Sequence, residues 1–180
     1  LIPFDVKIDY IQLNIKVSAM KKKTTTFAFV AWFASAISLA QTNDIAAIKE
    51  VIAKETESFF AVNKQGWADC WLKVPYAYWS YSDSTGTSFV QGWDGEKGLE
   101  KTFADYFNTQ KPSKATITND WLDVKVYGNG AYARFFQIVK AEIDHDVTSQ
   151  VRVLEKVAGH WKIIHVGAIA KYPNTPTLNH

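Results

Sequence analysis

Thr148-Ser149-Gln150-Val151-Arg152-Val153-Leu154-Glu155 leads through Ala158-Gly159 into His160-Trp161-Lys162-Ile163-Ile164-His165. Val151 and Val153, and then Ile163 and His165, stand two apart, which is the period of a strand. Ala158-Gly159-His160 breaks the run and supplies a turn. Working outward, Ala131–Ala170 reads as three long alternating strands. Asp144-His145-Asp146 turns between the first two, with strands over Ala131–Ile143, Thr148–Val157 and Trp161–Ala170. Upstream, Ala115–Tyr127 is a fourth strand, joined to the next by the hairpin turn Gly128-Asn129-Gly130.

The N-terminal half is helical in character. Thr42-Asn43-Asp44 offers helix-capping side chains. Ile45, Ile48, Ile52 and Phe59 then mark one face of a helix ending near Asn63-Lys64-Gln65-Gly66. A short helix over Trp67–Lys73 stops before Pro75. Tyr76–Ser82 and Thr87–Trp93, joined by Asp83-Ser84-Thr85-Gly86, form a hairpin. Asp94 is positioned to cap a further helix carrying Leu99, Phe103 and Tyr106. The order is helix, helix, hairpin, helix and four strands. This is α+β, with helices packed on one face of a curved antiparallel sheet. An inward row of such a sheet can line a pocket.

The chain has 180 residues, 14% of them aromatic, enough for one domain with a sizeable core. Met20-Lys21-Lys22-Lys23, the apolar run Phe27–Ile37 and Ser38-Leu39-Ala40 have the order of a secretory signal peptide cut after Ala40. The run is too short for a stable membrane anchor. The expected organisation is an extension outside the fold over 1–19, a signal peptide over 20–40, one domain over 41–171 and a flexible tail over 172–180. The expected location is periplasmic or secreted. Five of the 20 basic and two of the 18 acidic side chains precede Gln41, so the formal charge of +2 becomes −1 after cleavage. That balance, with no basic run, speaks against a nucleic-acid partner. Cys70, the single cysteine, lies among Trp67, Trp71 and Leu72 and reads as core.

Over Asp44–Ala170 the sequence resembles the nuclear transport factor 2-like superfamily and, within it, the SnoaL-like branch. It is similar to small proteins related to the association domain of calcium/calmodulin-dependent kinase type II. The resemblance is carried by the long first helix, Gln91-Gly92-Trp93-Asp94-Gly95, and Gly128-Asn129-Gly130-Ala131-Tyr132-Ala133. Most specific is Arg152-Val153-Leu154-Glu155 leading to Trp161-Lys162-Ile163-Ile164-His165. It implies a cystatin-like conical barrel: a strongly curved antiparallel sheet wrapped around N-terminal helices, with a cavity between them. It also implies a homodimer formed through the outer sheet face. The fold hosts enzymes and binding modules alike, so it does not choose a function.

The arginine that these relatives place in the pocket matches Arg152, nine residues before Trp161. Such a group holds a carboxylate-bearing ligand. His165 is a candidate to orient or titrate with a ligand. Where relatives continue with further polar residues, Gly167-Ala168-Ile169 stand here. Two strand registers are open. Either Ala131, Ala133, Phe135 and Gln137 face inward, or Tyr132, Arg134 and Phe136 do. The alanine row is the favoured inward one, leaving space for a ligand and an aromatic outer face for a partner subunit. Tyr78, Tyr81, Trp93, Tyr106 and Trp121 are the candidate aromatic lining. Asp94 and Asp120 read as a helix cap and a strand-edge residue, Asp144-His145-Asp146 as a turn and not a metal site. No cofactor motif is visible. Three functions stay open. The first is an exported binder of a small, anionic organic molecule. The second is an isomerase, dehydratase or hydrolase acting on a small hydrophobic substrate, with His165 as base. The third is a non-catalytic dimerisation or assembly module.

Overall fold

The computed structural model describes the backbone of residues 23–140 and 145–170 and the side chains of 42–140 and 146–170. The extension over 1–19, the start of the leader, Asp144 and the tail over 172–180 lie outside the described residues. The chain divides into two units at Leu39–Ala40, and the second holds all six strands.

The elements are α1 (Lys23–Phe60), α2 (Lys64–Ala68), β1 (Tyr78–Asp83), β2 (Gly86–Gln91), α3 (Leu99–Thr102), α4 (Ala104–Thr109), β3 (Thr116–Tyr127), β4 (Gly130–Lys140), β5 (His145–Val157) and β6 (His160–Ala170). The six strands make one curved, unclosed sheet in the order β2-β1-β6-β5-β4-β3. Neighbours pair antiparallel except β1 and β6, which run parallel.

On α1 the apolar stripe Ile48, Ile52 and Phe59 turns to the sheet. Ile48 and Ile52 are fully buried in one cluster with Trp67, Phe135, Leu154 and Ile163. Each such side chain contributes roughly 1.5–3 kcal/mol by leaving water. The register of β4 is the alanine row: Ala131, Ala133, Phe135 and Gln137 are buried and Arg134 is exposed. Gly128, at φ 60°, opens the β3–β4 hairpin with the backbone that a glycine-first turn requires.

Four local expectations give way. The short helix expected over Trp67–Lys73 is α2 over Lys64–Ala68, because Asn63 caps it by accepting from the Gly66 N–H. Thr42-Asn43-Asp44 does not start a helix, because α1 runs through it; Asp44 instead accepts hydrogen bonds from Lys156 and Trp161 on the β5–β6 hairpin. Asp94 does not cap α3, whose N-cap position is Gly98, since Gly92–Gly98 first folds into a tight turn. His145 and Asp146 are not turn residues. They pair with Lys140 and Val139 and lengthen β5.

Two β-bulges set the faces of the long strands. Leu122 is extra on β3, since Trp121 opposes Phe135 and Asp123 opposes Arg134. Ile164 is extra on β6, since Leu154 opposes Ile163 and Val153 opposes His165. Before this bulge β6 is flanked by Cys70–Leu72, which exchanges backbone bonds with Ile163; after it the neighbour is β1. The strand thus switches partner and face together.

Candidate functional site

Between α1 and the inner sheet face lies a cavity of about 170 Å³. The small Ala168 and Val166 on β6 leave the space, and it divides by chemistry. Phe59, Phe60 and Trp67 from the helical side, Phe103, and Trp79 and Tyr81 from β1 form aromatic walls. Trp79 and Tyr81 stack at 6.5 Å between ring centroids. The opposite wall is polar: Glu55 and Thr56 from α1, Gln137 from β4, and Thr148, Gln150 and Arg152 from β5, all buried. Asp146, exposed, stands beside them.

These groups form one hydrogen-bonded band. Gln137 Nε2 donates to Thr56 Oγ1 at 3.2 Å and to Asn119 Oδ1 at 3.3 Å. Thr56 Oγ1 donates to Glu55 Oε2 at 3.4 Å, and Trp67 Nε1 donates to Glu55 Oε1 at 3.1 Å. Arg152 Nη2 stands 3.6 Å from Glu55 Oε2, an ion pair whose side chains are only 4% and 7% exposed. Arg152 Nη1 donates to Gln150 Oε1 at 2.6 Å and to the Val151 carbonyl at 3.3 Å. Gln150 Nε2 continues to Thr148 Oγ1 at 2.5 Å. The guanidinium also lies 5.5 Å from the Phe135 ring centroid. Arg152 Nε is sealed from solvent and has no hydrogen-bond partner. Burial lowers the pKa of Arg152, and Glu55 opposes that shift. Arginine nevertheless remains charged, and burying it is tolerable because its counter-ion is in place.

Of the candidate site residues, Arg152, Gln137 and Tyr81 line the cavity. The others do not. His165 lies beyond the Ile164 bulge on the other sheet face, opposite Tyr78 at 5.1 Å between ring centroids. Its pKa is lowered by burial and then by the charge of Arg152. Tyr78 and Tyr81, three apart on one strand, point to opposite faces, and Tyr78 stacks on Phe89 instead. Trp93 is buried against Trp67 and Trp71. Tyr106 stacks on Phe59 at 4.2 Å and donates its hydroxyl to the Phe59 carbonyl. Trp121 packs on Phe135 under Lys49. Cys70 is buried, donates to the Gly66 carbonyl, and burial pushes its thiol up to about 11, so it is not a nucleophile at neutral pH.

The missed residues carried signals. Glu55 is three residues after Ile52 and four before Phe59, a charge on the apolar stripe of α1. Gln150 and Thr148 follow from Arg152 by the two-residue period of β5. Trp79 follows from Tyr81 in the same way.

No family model matches the chain, and no curated protein does. Solved structures do. A nuclear transport factor 2-like superfamily protein from Salmonella enterica serovar Typhimurium aligns at a TM-score of 0.57 and 18% identity, over 78% of this chain and 99% of its own. The chain has the nuclear transport factor 2-like fold. A second such protein with a cystatin-like fold, from Novosphingobium aromaticivorans, aligns at 0.56 and 13% identity over 78% and 90% of the two chains. The CaMKII hub of S. rosetta aligns at 0.53 and 16%, over 70% and 95%. At these identities the likeness concerns the nuclear transport factor 2-like fold alone. Among the described residues no cluster of His, Cys, Asp or Glu is arranged to hold a metal, and no helix is long and apolar enough to cross a membrane.

Proposed function

We propose that this chain is an exported protein that binds a small organic molecule in the cavity between α1 and the sheet. The observation that carries the reading is the division of one cavity into an aromatic wall and a buried, hydrogen-bonded polar wall, the usual make-up of a ligand site. Arg152, Gln137 and Tyr81 are its ligand-facing residues, joined by Trp79 and Thr148. Size limits the ligand. An engineered apolar cavity of about 150 Å³ holds benzene, so 170 Å³ accommodates one six-membered ring with a polar substituent. Export is supported by the leader pattern over 20–40.

The test is a screen of single-ring fragments by ligand-observed NMR, on the wild type and on Ala168→Leu. Leucine at this cavity-lining position fills space and leaves every polar group in place. Fragments that bind the wild type should be lost from the folded variant. Equal binding to both would place the ligand elsewhere and end the reading.

The outer face supports assembly as a homodimer. Phe89, Leu122, Val151 and Ile169 are exposed on the sheet, in a fold shared with a hub protein. Sedimentation of the wild type and of Val151→Lys tests this; a monomeric wild type would refute it.

A further inference from the structure

We infer that the cavity selects an uncharged ligand, a single ring carrying a carboxamide-like group, and that Glu55 sets this preference by supplying the counter-ion of Arg152. The inference rests on the binding reading above and assigns the ligand its chemistry.

A pocket arginine ordinarily attracts an anion because its charge and its donor fork are free. Here neither is. The charge is matched inside the protein by Glu55 at 3.6 Å. Most of the fork is turned to the protein as well: Nη1 donates to Gln150 and the Val151 carbonyl, Nη2 faces Glu55 at an ion-pair separation too long for a hydrogen bond, and Nε is sealed from solvent. The charged side chains of the lining are Glu55, Arg152 and Asp146, two acids and one base. A carboxylate entering this space would be the second negative group beside one buried positive charge, the arrangement that most disfavours ionisation. A cation fares little better. It would lie near the buried guanidinium, and exposed Asp146 is screened by solvent.

The remaining polar lining is made of hydroxyl and amide groups: Thr56, Thr148, Gln137 and Gln150. Part of their capacity is spent within the band, where Gln137 Nε2 donates to Thr56 and Asn119 and Gln150 bonds Arg152 and Thr148; the amides still offer both kinds, Gln137 its carbonyl oxygen and Gln150 its second N–H. A carboxylate only accepts and an ammonium or amidinium only donates, whereas a primary carboxamide does both. The aromatic walls would take the ring.

Benzamide, benzoate and benzamidinium are nearly isosteric and carry charges of 0, −1 and +1, so they separate charge from shape. Their Kd values for the full chain at neutral pH give the test. The expected order has benzamide tighter than either ion by at least about tenfold. Benzoate or benzamidinium binding as tightly as benzamide would overturn the inference and leave the cavity reading standing. No binding by any of the three would count against both. In Glu55→Gln the neutral side chain keeps its shape but frees the charge of Arg152, so benzoate should gain at least about tenfold relative to benzamide. A folded Glu55→Gln protein with an unchanged ranking would also overturn the role of Glu55. If that variant does not fold, the wild-type ranking alone decides.

Discussion

Removing either member of the Glu55–Arg152 pair should destabilise the protein far more than removing both. The two groups are 3.6 Å apart with side chains 4% and 7% exposed. At an effective dielectric constant near 20, that separation is worth about 4–5 kcal/mol of attraction. Much of this offsets the cost of taking both ions out of water, so the pair adds little net stability. A single replacement keeps the desolvation cost and loses the attraction. Arg152→Met or Glu55→Leu should therefore cost about 3–5 kcal/mol. Glu55→Leu also strands the indole N–H of Trp67, which donates to Glu55, and should fall at the upper end. The double variant should lie closer to the wild type than either single one, because the two apolar side chains replace the pair in bulk and leave chiefly the stranded Trp67 N–H, about 1–3 kcal/mol. The assay is equilibrium urea unfolding at one fixed protein concentration, followed by tryptophan fluorescence. With a urea slope of about 2 kcal/mol/M, each single variant should unfold about 2 M earlier. Costs in the double variant equal to the sum of the singles would mean that the groups are not coupled. The reasoning from their proximity would then be wrong.

Other predictions concern the hairpins and the outer face. Ala158 and Gly159 both have positive φ, 49° and 82°, in the β5–β6 turn. Alanine pays a steric cost there that asparagine escapes, so Ala158→Asn should add about 1 kcal/mol and raise Tm by several degrees. The carboxyl of Asp44 is held below the usual range by Lys156 and then by Trp161. A depressed acid contributes stability above its unfolded pKa and loses it as pH falls through the folded one. Asp44→Asn should accordingly cost about 1 kcal/mol near neutrality and converge with the wild type in acid, as read by urea midpoints across pH. For His165 the sign is the same, in a higher pH window. Burial favours the neutral ring, so the folded state loses stability as pH falls below the unfolded value of about 6.5. His165→Phe should flatten that acid-side loss, and the NMR titration of the wild-type ring should have its midpoint below 6.5; a midpoint above it would contradict the packing against Tyr78.

The fold was legible because its signals repeat. The alternation of β4 to β6, the stripe of α1 and the glycine turns each recur over many residues, and local errors such as the Asp94 cap do not disturb them. The inward alanine row could be argued because its small side chains leave space against the helices. The site was less legible, because its membership depends on which face each side chain takes. A strand reading carries that choice forward two residues at a time and has no means of seeing an inserted residue. Ile164 is such a residue: it left Ile163 inward and turned His165 away from the cavity.

The same bulge bears on what the cavity can do. Without it, the inward row after Ile163 would place His165 and Gly167 toward α1. With it, Val166 and Ala168 face in, and the titratable ring sits against Tyr78 on the outer face. A histidine base beside the cavity is thereby replaced by an apolar wall, and the charged groups buried in the lining are an arginine and a glutamate that neutralise each other, with Asp146 exposed beside them. That pairing favours binding over proton transfer. A general base must be free to accept a proton near neutrality, and Glu55 already accepts from Trp67 and Thr56 while balancing Arg152. On the binding reading proposed above, the cavity recognises its ligand by hydrogen bonds and ring stacking, so the charge of the ligand, more than its reactivity, is the property to measure.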